Sequence, residues 1–408
     1  MDDALFRALA AAGGRAFLVG GAARDLVLSG EPPKDLDIEV FGLSPDAVRS
    51  TLERFGKVDA VGASFGVYKL RTTDGEVDVS LPRRENKAGR GHKGFIVAPD
   101  PTMTPEQAAA RRDFTVNALM VDALTGEVLD FFGGRADWQA RVLRHVGPAF
   151  AEDPLRVLRA MQFCARWGFA LEEKTADLCR SLAGEFDTLP KERVWGEWRK
   201  WGERGRFPSA GLRALEDAGW MRIFLGVSDL PSSMLEYCDR VASVADAEGI
   251  KGEARVTLLL AALSALSAAE ETAKFLASIG APPRVTRGVK SLLEARLVWK
   301  DSGSTVKAMA FQLGQSSRTL REFGAMLDEE ERKALYLLAQ RLGVLDAPPQ
   351  PILRGAHLIE RGWQQGPQLG RVLQDAFQAQ LHGAFSDLAG ALAWVARHYP
   401  PAQRVLPP

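Results

Sequence analysis

The chain has 408 residues, 46% hydrophobic and 25% charged, with 52 basic side chains matched by 52 acidic ones. That length exceeds what one core supports, so two or more domains are expected, and zero net charge excludes coating of nucleic acid by bulk charge, leaving only local patches for any RNA contact. No apolar run reaches the ~18 residues of a helical membrane span, and an acidic N-terminus with three widely spaced cysteines predicts a reduced, cytoplasmic protein without a signal peptide.

In chain order, the first third alternates short β-like runs with turns. Strands are expected at Ala16–Val19, Ile38–Phe41, Val67–Arg71, Val77–Leu81 and Val128–Phe132, from β-branched and aromatic content bounded by turn residues. Helical periodicity marks Ala22–Leu28, Pro45–Phe55 and Arg112–Val121. From Asp153 onward nearly everything has helical periodicity, punctuated at Leu189-Pro190, Phe207-Pro208, Pro282-Pro283 and Pro348–Pro351. The layout is an α+β head followed by an all-α remainder.

The first constellation runs from Gly20-Gly21 through Arg24-Asp25 to Asp35-Leu36-Asp37. A glycine pair after an apolar strand lets the backbone approach a ligand closely, and the following helix N-terminus suits a phosphate. Asp35 and Asp37, two apart on a strand, share one face and can hold a pair of hard cations that clamp an in-line phosphoryl displacement. Asp78, on the strand Glu76–Ser80, is a candidate third carboxylate, although alternation of Glu76, Asp78 and Ser80 equally suits a wet sheet face. Asp-x-Asp alone reads as a solvated strand edge, and the Gly-Gly-x-x-Arg-Asp ahead of it at this spacing is what favours chemistry.

The second constellation is Arg111-Arg112-Asp113-Phe114-Thr115-Val116-Asn117. Arginine forks suit phosphate or ribose oxygens, and Asp113 either orients that fork, accepts a 2′-hydroxyl, or caps a helix carrying Val116 and Leu119. The third is Glu152-Asp153-Pro154-Leu155-Arg156-Val157-Leu158-Arg159. Here Asp153 is either a plain cap before a first-turn proline or a carboxylate that accepts from the exocyclic amine of cytosine or adenine beside an arginine donor. Uracil and guanine carry a carbonyl at that place. Between them lies a basic, glycine-containing stretch with Arg83, Arg84, Lys87, Arg90 and Lys93 against the single acid Glu85, read as a flexible loop near phosphates.

Taken together, GGAARD with DLD, RRDFTVNAL, DFFGGRADW (Asp130–Trp138), EDPLRVLRA and LPKERVWGEWRK (Leu189–Lys200), in this order, resemble the class II tRNA nucleotidyltransferase and bacterial poly(A) polymerase family. The likeness is close over about residues 15–205 and looser over 350–395. It implies a polymerase-β-like mixed-sheet nucleotidyltransferase head at 1–145, neck helices with the base-reading motif at 146–205, a helical body at 206–345 and an RNA-binding helical tail at 346–408. It also implies that Gly20, Gly21 and Arg24 meet the triphosphate and that Asp35 and Asp37 hold two Mg2+ ions, with Asp78 still open between a third catalytic carboxylate and a wet-face residue. Arg112 and Asp113 would face the ribose, Asp153 and Arg156 would read the base, and Arg159 would touch phosphate or position Arg156. The implied reaction adds CCA, or its terminal A, to a tRNA 3′ end from CTP and ATP, with poly(A) addition or a silent RNA-binding homologue as the other readings. Presence of the stretch Arg83–Lys93 disfavours CC-only addition. Two departures stand out. Gln162 occupies a place where many relatives carry arginine, and the helix Val256–Ser267, which runs into the small-residue helical stretch around Ala261–Ala269, lacks a His-Asp pair, which predicts no phosphohydrolase activity.

Overall fold

The computed structural model describes residues 3–30, 36–62, 66–72, 75–87, 95–301 and 306–400. The chain divides into two compact units, one made of Met1–Leu235 with Ser278–Gly280, the other of Glu236–Ala277 with Ala281–Pro408.

In the first unit, helix α1 (Asp3–Ala11) leads into strand β1 (Arg15–Val19), whose apolar run is followed by the short helix α2 (Gly20–Arg24). The helix then widens to π geometry over Asp25–Ser29 and stops at Gly30, whose φ of 69° places it in the left-handed region. Wide single turns of this kind interrupt an α-helix at a local cost and cluster at functional sites. Strand β2 (Leu36–Phe41), helix α3 (Pro45–Leu52), and strands β3 (Lys57–Gly62), β4 (Val67–Thr72) and β5 (Gly75–Ser80) follow. Strands β6 (Arg83–Lys87) and β7 (Phe95–Pro99) form a separate antiparallel ribbon. Helix α4 (Pro105–Ala109) precedes strands β8 (Met120–Asp122) and β9 (Val128–Leu129).

The main sheet has the order β3-β4-β5-β2-β1-β8-β9. Only β2 and β5 run parallel, and the other neighbours are antiparallel. One face carries Leu18, Ile38, Val40, Leu70, Val79 and Leu119 against α1 and α3, while Phe17, Val19, Phe41 and Met120 pack with Met103 and Ala109 on the other. Period-two burial therefore uses both faces of β1 and β2, as expected for central strands.

Four expectations change. Arg112–Val121 is not a helix: a 3-10 turn, Thr115–Asn117, leads directly into β8. Pairing of Met120, Val121 and Asp122 with Val19, Leu18 and Phe17 overrides the helical spacing of Phe114, Val116 and Leu119. Arg83–Lys87 is a ribbon strand rather than a loop. The expected strand Val128–Phe132 shortens to Val128–Leu129. Finally, the helix expected through Ser267 ends at Leu263, and a new one begins at Ala269.

Helix α5 (Gly134–Ala140) explains the DFFGGRADW segment. Both Asp130 oxygens accept from the Gly134 and Arg135 amides, at 2.7 and 3.0 Å. A Cβ on Gly134 would stand 2.3 Å from the Thr115 carbonyl oxygen, so only glycine fits there. Asp137 then takes the Thr115 hydroxyl at 2.7 Å and Arg144 at 3.1 Å. The segment is a clamp on the arginine–aspartate motif. Helix α6 (Leu155–Trp167), helix α7 (Glu173–Ser181), helix α8 (Lys191–Arg204), helix α9 (Pro208–Asp217) and helix α10 (Met221–Leu225) follow in the first unit, with α6 packed on α8 and α9. Gly211 permits that contact, since a Cβ there would lie 2.5 Å from the Met161 carbonyl.

The second unit is helical. Its helix Gly252–Leu263 is buried along its whole apolar length from Val256. Helices Gly355–Ile359, Pro367–Leu381 and Leu388–His398 enclose a core of Leu358, Trp363, Leu369, Val372, Phe385 and Val395. Among the described residues no helix is long and apolar enough to cross a membrane.

Candidate active site

Antiparallel pairing of β1 with β2 brings the end of β1 beside the start of β2, so Gly20 meets Asp37. Gly20 has φ 60°, and a Cβ there would sit 3.4 Å from an Arg112 terminal nitrogen and 3.7 Å from Asp37 Oδ2. The glycine both turns the chain and leaves room for two functional side chains. Parallel pairing of β2 with β5 sets Asp37 and Asp78 at the same register position. Gly20, Asp37, Lys69, Asp78, Ser80 and Arg112 surround an open cleft of about 370 Å³. Asp78 is half-exposed and lies 3.3 Å from Lys69 Nζ, which also reaches Glu76 at 3.1 Å. Lys69 thus supplies positive charge at the place where a cation bound to Asp78 would supply it. Asp35, the other half of Asp-x-Asp, lies outside the described residues. Among the described residues no three histidine, cysteine or acidic side chains are grouped to hold a metal. Asp37 and Asp78 nevertheless offer hard oxygen donors of the kind a divalent cation takes.

A second pocket of about 280 Å³ shares Ser80 and Arg112 with the cleft and is otherwise lined by Glu39, Arg83, Arg111 and Arg156 among others. Arg112 donates to Glu39 Oε2 at 3.2 Å, while its Nε is buried without a partner. Arg111 donates to the Arg83 carbonyl, tying the ribbon to the motif. Arg156 lines the pocket, yet its guanidinium is braced on the carbonyls of Ala149 at 2.8 Å and Arg111 at 2.9 Å.

Arg24, Asp113 and Arg159 come together behind this surface. Arg24 is buried and donates to Asp25 at 2.8 Å and to the Asn117 side-chain oxygen at 2.8 Å. Asn117 in turn donates to Asp113 Oδ1 at 3.0 Å, which also accepts the Phe114 amide at 2.8 Å. Arg159 donates twice to Asp113 Oδ2, at 2.7 and 2.6 Å. Burial by itself would raise the Asp113 carboxyl, but the Arg159 charge and these hydrogen bonds outweigh it and hold it below the usual carboxylate range. Arg24 and Arg159 also lie over the Phe163 ring, at 5.9 and 5.3 Å, and Arg24 over Trp167 at 5.0 Å. The chain Asp25–Arg24–Asn117–Asp113–Arg159 therefore ties the glycine turn to helix α6. Gly21, whose Cβ position is 3.7 Å from an Arg24 terminal nitrogen, leaves space for that fork.

Asp153 takes the capping role and adds an ion pair. Its Oδ1 accepts the Leu155 amide at 3.2 Å, so it caps α6, and its Oδ2 pairs with Arg193 of α8 at 2.7 Å. Regular helix begins at Leu155, one residue later than a first-turn Pro154 implies. Of the basic stretch, Arg83 lines the pocket and Arg84 and Lys87 stand on β6, whereas Arg90 and Lys93 fall outside the described residues.

Glu39, Lys69, Asn117 and Arg193 were not singled out from sequence. Strand alternation would have exposed Glu39, two residues beyond Asp37 on the same face, and Asn117 follows Asp113 by four. Arg193 has no local signal.

The fold is a mixed-sheet head with a helical remainder, and residues 16–144 match the poly A polymerase head domain. The chain is also similar to multifunctional CCA proteins: 47% identical over 214 residues to that of Xanthomonas campestris pv. campestris strain B100, covering 51% of this chain and 50% of that one. The Stenotrophomonas maltophilia strain K279a protein of the same name is 49% identical over 207 residues, 50% of this chain and 49% of that one. The chain thus spans about half the length of the curated relatives it matches. In fold it resembles the Bacillus stearothermophilus CCA-adding enzyme in complex with CTP, with 24% identity, 97% and 96% of the two chains covered and a TM-score of 0.71. The Thermotoga maritima CCA-adding enzyme complexed with tRNA-CCA gives 21%, 97%, 94% and 0.68. The α+β head with an all-α remainder is the architecture of these structures, and the resemblance read from the motifs stands.

Proposed function

We propose that the protein is a template-independent nucleotidyltransferase that adds CCA, or its terminal A, to tRNA 3′ ends from CTP and ATP. One observation carries the reading: Gly20, Asp37, Asp78 and Arg112 meet in a single cleft beside an arginine-lined pocket. The names of the similar curated proteins support the product. Asp35 and Asp37, with Asp78, would hold two Mg2+ ions. When bound, such ions activate the attacking hydroxyl and neutralise the departing pyrophosphate.

The protein's own groups have separable tasks. The Gly20 turn lets backbone amides approach the phosphates without a Cβ in the way. Arg112, with its unspent Nε, offers donors to oxyanions where the cleft meets the pocket. Asp153 would accept from the amine of cytosine or adenine, and Arg193 sets its direction. Arg156 would donate to ring acceptors after exchanging its carbonyl partners for the base. Arg24, Asp113 and Arg159 act as the frame that holds the glycine turn against α6. We further propose the division into head (1–145), neck (146–205), body (206–345) and RNA-binding tail (346–408), and a cytoplasmic location.

The test incubates the protein with tRNAs ending before CCA, after C and after CC, offering CTP and ATP separately. Stepwise completion to CCA is expected, and loss of all addition in a folded Asp37→Ala variant. Long A tails on any RNA would move the reading to poly(A) synthesis. A folded Asp37→Ala protein with near-normal incorporation would end the metal assignment.

A further inference from the structure

Strand pairing lines up one row of charged residues across four strands of the head sheet. Asp37 of β2 stands opposite Asp78 of β5, Asp78 opposite Lys69 of β4, and Lys69 opposite Asp59 of β3. Residues at matched register share a face, so the row runs outward from the cleft. Asp37, Asp78 and Lys69 all line that cleft. Its two acids are neighbours, and Lys69 is the cation on the other flank of Asp78. Lys69 Nζ lies 3.3 Å from Asp78 Oδ1 and 3.1 Å from Oε2 of Glu76, two residues earlier on the same face of β5. One ammonium therefore has two carboxylates within reach. Glu76 is also held from its other side, with Oε1 3.0 Å from Arg71 Nε, so it keeps its place whichever way Lys69 leans.

We propose that Lys69 is a placeholder cation for the cleft, pairing with Asp78 while no divalent ion is bound and turning to Glu76 when one is. Asp37 and Asp78, one strand spacing of about 5 Å apart along the backbone, repel each other as like charges directly opposite do. The ammonium offsets that repulsion, and a divalent ion that takes Asp78 must displace it. Glu76 makes the displacement easy, because Lys69 loses one carboxylate and keeps the other. Lys69 is half-buried and both acids are half-exposed, and pairs of that kind are weak enough to exchange. Lys69 is thus a positioning residue that acts through Asp78 on cation affinity. This inference rests on the cation placement at Asp37 and Asp78 in the nucleotidyltransferase reading above.

The experiment titrates Mn2+ onto the protein and counts the free ion by electron paramagnetic resonance. Lys69→Met and Glu76→Gln preserve side-chain size, and thermal melts check that both fold. Lys69→Met should bind Mn2+ about 2- to 10-fold more tightly, the scale of one partly exposed charge acting on a divalent ion. Glu76→Gln should bind it more weakly by a similar factor, because Lys69 then has only Asp78 to pair with. That loss should vanish in the double variant carrying Lys69→Met and Glu76→Gln, where no ammonium remains to be released. Equal weakening by Glu76→Gln in both backgrounds would show that Glu76 attracts the ion by bulk charge, and would overturn the proposal. So would a Lys69→Met protein that binds no better than wild type. An equal gain in Arg71→Met would also overturn it, since Arg71 pairs with Asp59 and Glu76 rather than Asp78. If wild type takes up no Mn2+, uptake in Lys69→Met supports the placeholder and absence from both overturns it. The expected signs on a protein that extends no tRNA would retract the enzymatic reading alone. Extension of tRNA with identical Mn2+ binding by wild type and Lys69→Met would retract only the placeholder.

Discussion

Arg159 of helix α6 donates twice to one oxygen of Asp113, at 2.7 and 2.6 Å, across 46 residues of sequence. Asp113 is buried while Arg159 keeps about a third of its side chain exposed, so the carboxylate depends on the pair more than the guanidinium does. Removing the arginine strands a buried charge. Arg159→Ala is expected to lower stability by about 3 kcal/mol, read from the denaturant midpoint at neutral pH. A change below about 1 kcal/mol would mean that Asp113 finds other partners.

The same pair sets a pH dependence. Because Asp113 is held below the usual carboxylate range in the folded state, its contribution is present above the ordinary value of about 3.9. It is lost as pH falls through the lower, folded value. The stability gap between wild type and Asp113→Asn should therefore be largest near neutral pH and close as pH falls below about 4. Urea midpoints measured from about pH 7 to pH 3 check it, and a gap that widens in acid would refute the sign.

Gly134 is a steric requirement. Its Cβ position lies 2.3 Å from the Thr115 carbonyl oxygen and 2.9 Å from the carbonyl carbon, both backbone atoms. Gly134→Ala must push α5 away from the arginine–aspartate motif, at a cost of roughly 1–3 kcal/mol. Nucleotide addition should fall in the same variant at temperatures where it remains folded, because Thr115–Asn117 carries the Asp113 network. A thermal melt with parallel incorporation assays reads both effects.

Arg193 lies on α8, 40 residues from Asp153, and pairs with it at 2.7 Å with both side chains about a quarter exposed. An exposed pair of this kind contributes under about 1 kcal/mol to stability, so Arg193→Ala should fold normally. Selectivity is the sensitive quantity: incorporation of UTP and GTP relative to CTP should rise, since Asp153 loses the donor that aims it. Unchanged selectivity would leave Asp153 as a helix cap only.

How much of this was legible beforehand depends on the range of the interaction. The strand before Gly20-Gly21, the Asp37 strand and the clustering of arginines before Asp113 are local patterns, and each appears where alternation and spacing place it. The Arg112–Val121 segment misled because its apolar spacing fits a helix, while its last two residues, Met120 and Val121, are claimed by β1. The loop expected at Arg83–Lys87 misled because charge says nothing about cross-strand pairing, and β7 supplies the partner.

By itself, then, the sequence determined the α+β head, the helical remainder, the glycine turn and the order of motifs, since periodicity and turn chemistry act over a few residues. Only the tertiary structure decided which carboxylates face one another and which arginines are already committed. Asp78 reaches Asp37 through parallel pairing of strands some forty residues apart. Glu39 is held by Arg112 and Asp113 by Arg159, each across a sequence distance at which no local pattern survives.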